Sequence, residues 1–133
     1  MDKNFYITTP IYYPSAKPHM GHAYSSIVAD FFARFKIIDD YKVHFLTGTD
    51  EHGLKIQRSA ERAGESPQKF CDQISKTFRD LSNTLNLCNT DFIRTTEDRH
   101  KKTVQYLWSE LEKNDDIYLS NYSGWYSVSD EAF

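Results

Sequence analysis

The segment at residues 8–25 constrains the fold more than any other part of this 133-residue chain. A short apolar run at residues 5–7 precedes it and is typical of a β-strand. Prolines then favour a turn, and the four residues His19, Met20, Gly21 and His22 open a long amphipathic pattern that indicates an α-helix. The segment therefore joins a strand to a helix through a short turn.

Two histidines of this segment, His19 and His22, are three residues apart and would share one face of an opening helical turn. Gly21 between them leaves room for a ligand to approach the backbone closely. The N-terminal end of a helix attracts anions, so two imidazoles placed there suit a polyphosphate whose charge shifts during a reaction. The alternatives are a buried structural pair and a metal-binding pair, although no third ligand lies nearby in the sequence.

Apolar residues at three- and four-residue spacing predict a helix over residues 20–37, with its apolar stripe packed in the core. The stripe consists of Met20, Ala23, Tyr24, Ile27, Val28, Phe31, Phe32 and Phe35. A second strand is predicted at residues 43–46. A strand, a crossover helix and a second strand form a right-handed unit with parallel strands, so the predicted fold class is α/β.

A second polar cluster, Gly-Thr-Asp-Glu-His-Gly at residues 48–53, comes directly after the second strand. In open parallel sheets, ligands bind at the carboxyl ends of the strands, and both polar clusters follow such an end. The two clusters are therefore predicted to face one crevice. The alternative is that Asp50 and Glu51 only cap the next helix, which is predicted over residues 54–63.

Further elements continue the alternation of helices and strands. Ser66 followed by Pro67 predicts a helix start, a brief third strand is predicted at residues 92–93, and a last helix is predicted from Thr96. The apolar side chains of this last helix are expected to face inward. They are Val104, Leu107, Trp108 and Leu111.

From residue 116 the sequence becomes rich in β-forming side chains. Residues 117–119 and 125–128 read as two short strands, and Ser123 with Gly124 offers a turn between them. A β-hairpin is therefore predicted in this tail.

Composition excludes several classes of protein. The net charge of −3 argues against a chain-wide basic surface for nucleic acid, and no apolar run is long enough to cross a membrane. The first residues lack the apolar core of a signal peptide, so a cytoplasmic location is expected. The two cysteines, Cys71 and Cys88, show no tight spacing, and no disulfide is expected in a cytosolic chain.

The residues of these clusters resemble a known family. His19, Met20, Gly21 and His22 resemble the histidine signature of class I aminoacyl-tRNA synthetases, often called HIGH. The flanking Pro-Ile-Tyr-Tyr-Pro at residues 10–14 and the cluster at residues 48–53 are similar to those of methionyl-tRNA synthetases. The isoleucine, valine and leucine enzymes share the first signature but differ after the second strand. The resemblance covers essentially the whole chain.

This resemblance implies ATP-dependent activation of methionine to methionyl-adenylate and its transfer to tRNA(Met) in protein synthesis, with ATP accompanied by Mg²⁺. The resemblance implies that His19 and His22 are catalytic and that both histidines and Gly21 bind ATP. It also implies that Asp50 pairs with the α-ammonium group of methionine, and that Ile11 and Tyr13 line the side-chain pocket. The signature region comprises Tyr12, Tyr13, Pro14, Ser15, Ala16, Lys17, Pro18, His19, Met20, Gly21 and His22.

The resemblance also predicts a domain organisation. Residues 1–115 correspond to the first half of a doubly wound, Rossmann-like catalytic domain, and residues 116–133 correspond to the beginning of a connective insertion. No second, lysine-bearing signature and no anticodon-binding domain occur in the sequence, so the isolated chain is expected to be inactive without the C-terminal half of the enzyme. There are two alternatives. The chain could belong to another class I synthetase, or it could be a non-catalytic module that binds ATP or tRNA or assembles with a partner.

One departure from the family concerns zinc. Many methionine enzymes carry Cys-x-x-Cys where this chain has Ser127, Val128, Ser129 and Asp130. Structural zinc sites need thiolates and imidazoles, so no structural zinc is expected here.

Overall fold

The computed structural model describes residues 3–127, 130 and 132–133, and these form two compact units, 1–101 and 102–133. The first unit contains a parallel sheet and the helices that pack on it. The elements in chain order are β1 (Asn4–Thr8), α1 (Met20–Ile38), β2 (Lys42–Thr49), α2 (Leu54–Ala63), α3 (Pro67–Thr84), β3 (Asp91–Arg94) and α4 (Asp98–Lys113). Helix α4 begins in the first unit and continues into the second.

The sheet has three parallel strands in the order β1-β2-β3, so β2 is central. Asn4 pairs with Lys42 in the first ladder, and Leu46 pairs with Asp91 in the second. The predicted α/β fold class is thus confirmed, including the parallel strands. Because all the strands run the same way, their carboxyl ends meet at one edge of the sheet.

Local signals account for the helix ends. Ser66 caps α3 by accepting the N–H of Lys69, and Gly64 ends α2 in the left-handed conformation at φ 68°. The cap residue of α2 is Gly53, whose φ of 112° favours glycine, and no side chain caps that helix. The alternative in which Asp50 and Glu51 only cap α2 therefore does not hold.

Helix α1 buries a different face from the predicted one. Its buried residues are Ser26, Ala29 and Ala33, whereas Tyr24, Phe31 and most of the predicted stripe are exposed in this chain. Small side chains let the helix axis approach the sheet closely, so Ala29 and Ala33 pack directly on Phe45 of β2. The prediction that the large apolar stripe packs in the core was wrong, because α1 has apolar residues on both sides.

A second core cluster of the first unit lies between the signature region and α3. Tyr12, Phe78 and Phe92 form a buried cluster, and Ile74 packs against it. Phe78 and Ile74 both lie on α3, where Phe78 is 2% exposed and Ile74 is partly buried. Through Tyr12 the signature region is therefore anchored in the core.

The second unit contains the rest of α4 and the tail. The four apolar residues predicted to face inward on α4 are exposed in this chain, so that prediction was wrong. Residues 114–127 form no strand, and the antiparallel pairing found in the described part of the tail is a bridge between Ser127 and Ala132. The predicted hairpin is thus absent as far as Ser127, and Val128 lies outside the described residues. Among the described residues no helix is long and apolar enough to span a membrane.

Candidate active site

The two signature histidines cap the start of α1 with their side chains. His19 is the cap residue, and its Nδ1 accepts the N–H of Gly21 at 3.0 Å. In return, Nδ1 of His22 accepts the backbone N–H of His19 at 3.1 Å. The two rings lie with their centroids 3.8 Å apart. The spacing of three residues thus brings both imidazoles together at the helix end, as predicted.

These hydrogen bonds determine which ring nitrogens carry protons. A backbone N–H can only donate, so Nδ1 of each ring is the acceptor, and in the neutral imidazole the proton is then on Nε2. Both histidines consequently have an Nε2–H group available as a donor. The backbone N–H groups of His22 and Ala23 already donate to the carbonyl of His19. The donors that a ligand could use here are therefore the Nε2–H groups of the two imidazoles.

Aromatic rings surround His22. The ring of Tyr12 meets it edge-on at 4.8 Å, and the ring of Phe78 from α3 does so at 5.1 Å. Burial by these neighbours, with a smaller effect from the nearby His19, lowers the pKa of His22 below its usual value. His22 is therefore neutral at pH 7 and donates through Nε2–H.

Gly21 is needed for the position of the His19 ring. A Cβ at this position would lie 2.9 Å from Cε1 and 3.1 Å from Nδ1 of His19. Any larger residue would push the ring away from the N–H that it accepts. The glycine therefore allows the histidine to cap the helix.

Tyr12 connects the two polar clusters. It forms a parallel bridge with Thr49, in which the N–H of Tyr12 bonds the carbonyl of Gly48 at 2.9 Å and its carbonyl accepts the N–H of Asp50 at 2.9 Å. Its ring contacts His22, and its hydroxyl lies 2.9 Å from Oγ of Ser26 on α1. The predicted meeting of the two clusters at one sheet edge is thereby observed.

The second cluster starts at Gly48 of β2, which lies directly against β3. Gly48 pairs with Ile93, and a Cβ on Gly48 would lie 1.9 Å from the carbonyl oxygen of Ile93. Asp50 follows the end of β2 and is partly exposed. Its carboxylate has no hydrogen-bond or ion-pair partner in the part of the chain that the structure describes. It is therefore a charged group available to a ligand.

Glu51, by contrast, is turned into the protein. Its side chain is completely buried and forms a two-point ion pair with Arg94 at the end of β3, at 2.7 and 2.9 Å. The sequence reasoning did not select Arg94, Thr95 or Thr96 as part of this site. The signal was present, because these polar residues follow the predicted third strand at residues 92–93, just as the other clusters follow the first two strands.

Ile11 and Tyr13 flank Tyr12 and point away from its buried side. They are 40% and 41% exposed, whereas Tyr12 is 7% exposed, as expected from alternation in an extended segment. Their predicted role in a methionine pocket stays a prediction. The turn before α1 contains Pro14, which is buried, Ser15 and Pro18, which are partly buried, and Ala16 and Lys17, which are exposed. Met20, the first residue of α1, is exposed.

No group of three or more metal-ligating side chains occurs among the described residues. In the tail, Oγ of Ser127 donates to Asp130 at 2.6 Å, while Val128 and Ser129 lie outside the described residues. The expectation that no structural zinc binds here stays a prediction.

A parallel α/β sheet with a histidine signature and an acidic cluster at the same carboxyl edge is the arrangement of a class I aminoacyl-tRNA synthetase. Within that class, the chain belongs to the methionine family, described as "tRNA synthetases class I (M)", whose sequence model matches residues 5–133.

Individual relatives agree with this assignment. The chain is 54% identical to methionine–tRNA ligase of Listeria monocytogenes and 52% identical to the mitochondrial enzyme of Takifugu rubripes, over 99% of its length in each case. The crystal structure of Mycobacterium tuberculosis methionyl-tRNA synthetase bound by methionyl-adenylate is similar at a TM-score of 0.92 and 48% identity, over 96% of this chain. The chain spans 20%, 22% and 25% of the lengths of these three relatives.

Proposed function

We propose that the chain is the N-terminal part of a methionine–tRNA ligase and supplies the histidine-bearing half of its active site. The observation that carries this proposal is the junction at Tyr12, which joins the paired imidazoles of α1 to the unpaired carboxylate of Asp50. The site thus offers imidazole N–H donors for phosphoryl oxygens beside one anion for an amine. Methionine and ATP together present these two complementary groups.

The proposed first reaction is methionine activation. A carboxylate oxygen of methionine forms a bond to the α-phosphorus of ATP, the bond from that phosphorus to the bridging oxygen breaks, and pyrophosphate leaves. Nε2–H groups of His19 and His22 donate to phosphoryl oxygens, whose negative charge is redistributed in the transition state. Because both donors are fixed by the helix cap, little reorganisation is needed when the charge moves.

Asp50 is proposed to bind the α-ammonium group of methionine through a charge-assisted hydrogen bond. Ile11 and Tyr13 are proposed to line the side-chain pocket, since apolar and aromatic walls suit a thioether. Gly21 is proposed to contact ATP together with the two histidines. The donors at the signature are imidazole N–H groups rather than carboxylates, so Mg²⁺ is proposed to arrive bound to the phosphates of ATP.

The second proposed reaction transfers methionine to tRNA(Met). The part of the enzyme outside this chain would supply the lysine-bearing signature and the anticodon-binding region. We infer that residues 1–115 belong to the catalytic domain and that residues 116–133 begin the insertion. A cytoplasmic location remains a prediction from the sequence.

The proposal is tested by methionine-dependent exchange of pyrophosphate into ATP, measured with the full-length protein. Asp50→Asn keeps the shape of the side chain but removes its charge, so exchange efficiency with methionine should fall by about 100-fold or more. The matched control is Asp80→Asn, which makes the same change at an exposed position of α3. Leucine, isoleucine and valine should not replace methionine. Exchange driven by another amino acid, or unchanged by Asp50→Asn, would contradict the proposal.

A further inference from the structure

Glu51 lies next to Asp50, but its side chain cannot contact a substrate. It is fully buried, and its two oxygens accept hydrogen bonds from Arg94, Thr49 and Thr96. Burial raises the pKa of the Glu51 carboxyl, but the hydrogen bonds from Arg94, Thr96 and Thr49 outweigh that effect and hold the pKa below its usual value. Glu51 is therefore a buried anion whose acceptor positions are already filled by the protein.

Arg94 provides the charge that balances Glu51. Its Nε and Nη2 donate to the two carboxylate oxygens, and Nη2 also donates to Asp72 of α3 at 2.6 Å. The side chain is 19% exposed, so its planar group is largely enclosed by these partners. Arg94 thus links the end of β3, the second polar cluster and α3 through geometrically specific hydrogen bonds.

The residue after Arg94 fixes the backbone of the same cluster. Oγ1 of Thr95 accepts the N–H of Glu51 at 2.8 Å and lies 3.0 Å from Nδ1 of His52. On the other side, the N–H of Asp50 is held by the carbonyl of Tyr12. The peptide groups before and after the Cα of Asp50 are therefore both held, which leaves the Asp50 side chain with only its own rotamers.

We propose that Arg94 is a positioning residue for Asp50, acting through Glu51 to hold residues 50–52 in the conformation that binds the ammonium group of the amino acid. This inference rests on the proposed role of Asp50. Loss of Arg94 would leave the buried Glu51 carboxylate without a counter-charge, and such a group moves or takes up a proton. The backbone that carries Asp50 would then shift, and a displacement of about 1 Å at a binding group can cost up to roughly 100-fold in rate.

The test measures pyrophosphate exchange with the full-length protein carrying Arg94→Met, well below its unfolding temperature. The KM for methionine should rise by about 10-fold, while the KM for ATP stays within about twofold, because the histidine pair does not depend on Glu51. Arg94→Lys keeps the charge but loses the planar group, so its methionine KM should be intermediate. An equal rise of both KM values, or no rise in either, would overturn the proposal.

Two further measurements complete the test. Arg99→Met is the matched control, because Arg99 forms a comparable two-point pair with Asp91 at the surface, and both KM values should stay unchanged. Amide hydrogen exchange gives a readout that does not need activity: Arg94→Met should speed exchange at the N–H groups of Asp50 and Glu51 but not at that of Ala23. Uniformly faster exchange at all three would indicate general loosening and overturn a positioning role. If the unmodified protein showed no methionine-dependent exchange, the proposed function would fail, while the amide result would still decide the positioning.

Discussion

The backbone N–H of Asp50 donates to the carbonyl of Tyr12 at 2.9 Å, although the two residues belong to different segments of the chain. Through this bond the acidic cluster after β2 is attached to the segment that leads into α1. The side chain of the same tyrosine packs against His22. Tyr12 thus contacts the proposed ammonium site at Asp50 through its backbone and the proposed phosphate site at His22 through its ring.

This division of roles predicts different effects for two substitutions of Tyr12. Tyr12→Leu removes the ring beside His22 but keeps the backbone bonds, so kcat for methionine activation should fall by roughly 10-fold with little change in methionine KM. Tyr12→Phe keeps the ring and should retain kcat within about twofold. Steady-state pyrophosphate exchange checks this, with Tyr106→Leu at an exposed site as the control. Equal losses in both Tyr12 variants would show that the ring is not the cause.

The histidines are expected to act mainly on the transition state. His19→Ala or His22→Ala in the full-length protein should lower the adenylation rate by roughly 10²–10³-fold, the usual loss for one donor of this kind. The decrease should be in kcat rather than in KM. His100→Ala, a histidine at the start of α4, should leave the rate unchanged. Normal exchange in either signature variant would refute the assignment.

The helix cap predicts a pH dependence centred on His22. Its folded pKa lies below the unfolded value of 6.5, so its contribution to stability is complete above that pH and is lost as the pH falls through the folded pKa. Protonation at Nδ1 also breaks the bond from the N–H of His19. The titratable groups facing the ring are His19 and Tyr12, while Phe78 is apolar. Long-range proton–nitrogen NMR should show the Nε2–H tautomer at pH 7.5 and a midpoint below 6.5, and a higher midpoint would contradict this.

The close approach of β2 and β3 predicts an effect on stability. In Gly48→Ala the new Cβ would lie 1.9 Å from the carbonyl oxygen of Ile93, a rigid backbone atom, so the strands must separate. The free energy of unfolding should fall by about 3 kcal/mol in chemical denaturation, the upper end of the usual cost of overpacking. Gly124→Ala, whose Cβ would meet its nearest atoms at 3.4 Å or more, serves as the control and should change stability little. A stable Gly48→Ala protein would contradict the observed strand spacing.

The isolated 133-residue chain is predicted not to form methionyl-adenylate. It offers the imidazole pair and Asp50, but a doubly wound site also needs groups from the second half of the sheet to surround the developing charge. Pyrophosphate exchange should therefore remain at background with this chain and appear with the full-length protein. Methionine-dependent exchange by the chain alone would show that its site is already complete.

Much of the local structure could be predicted from the sequence. Ser66 with Pro67 and Gly64 mark helix ends through their own backbone preferences, and these signals need no distant partner. The meeting of the two polar clusters was also predictable, because the carboxyl ends of parallel strands share one edge. For the same reason Arg94 could have been predicted as a site residue from its place at the carboxyl end of the third strand.

Other features were decided only by the tertiary structure. The sequence of α1 is apolar on two sides, and periodicity records where apolar residues recur rather than which side meets the sheet. The helix face with small side chains, Ala29 and Ala33, packs on the sheet, because close packing on Phe45 requires short side chains. The pairing of Glu51 with Arg94, 43 residues away, depends on strand register and on burial, because a buried carboxylate without a counter-charge is costly. Sequence by itself therefore determined the elements and the edge at which the polar residues gather, while packing and register determined which of those residues face a ligand and which hold the others in place.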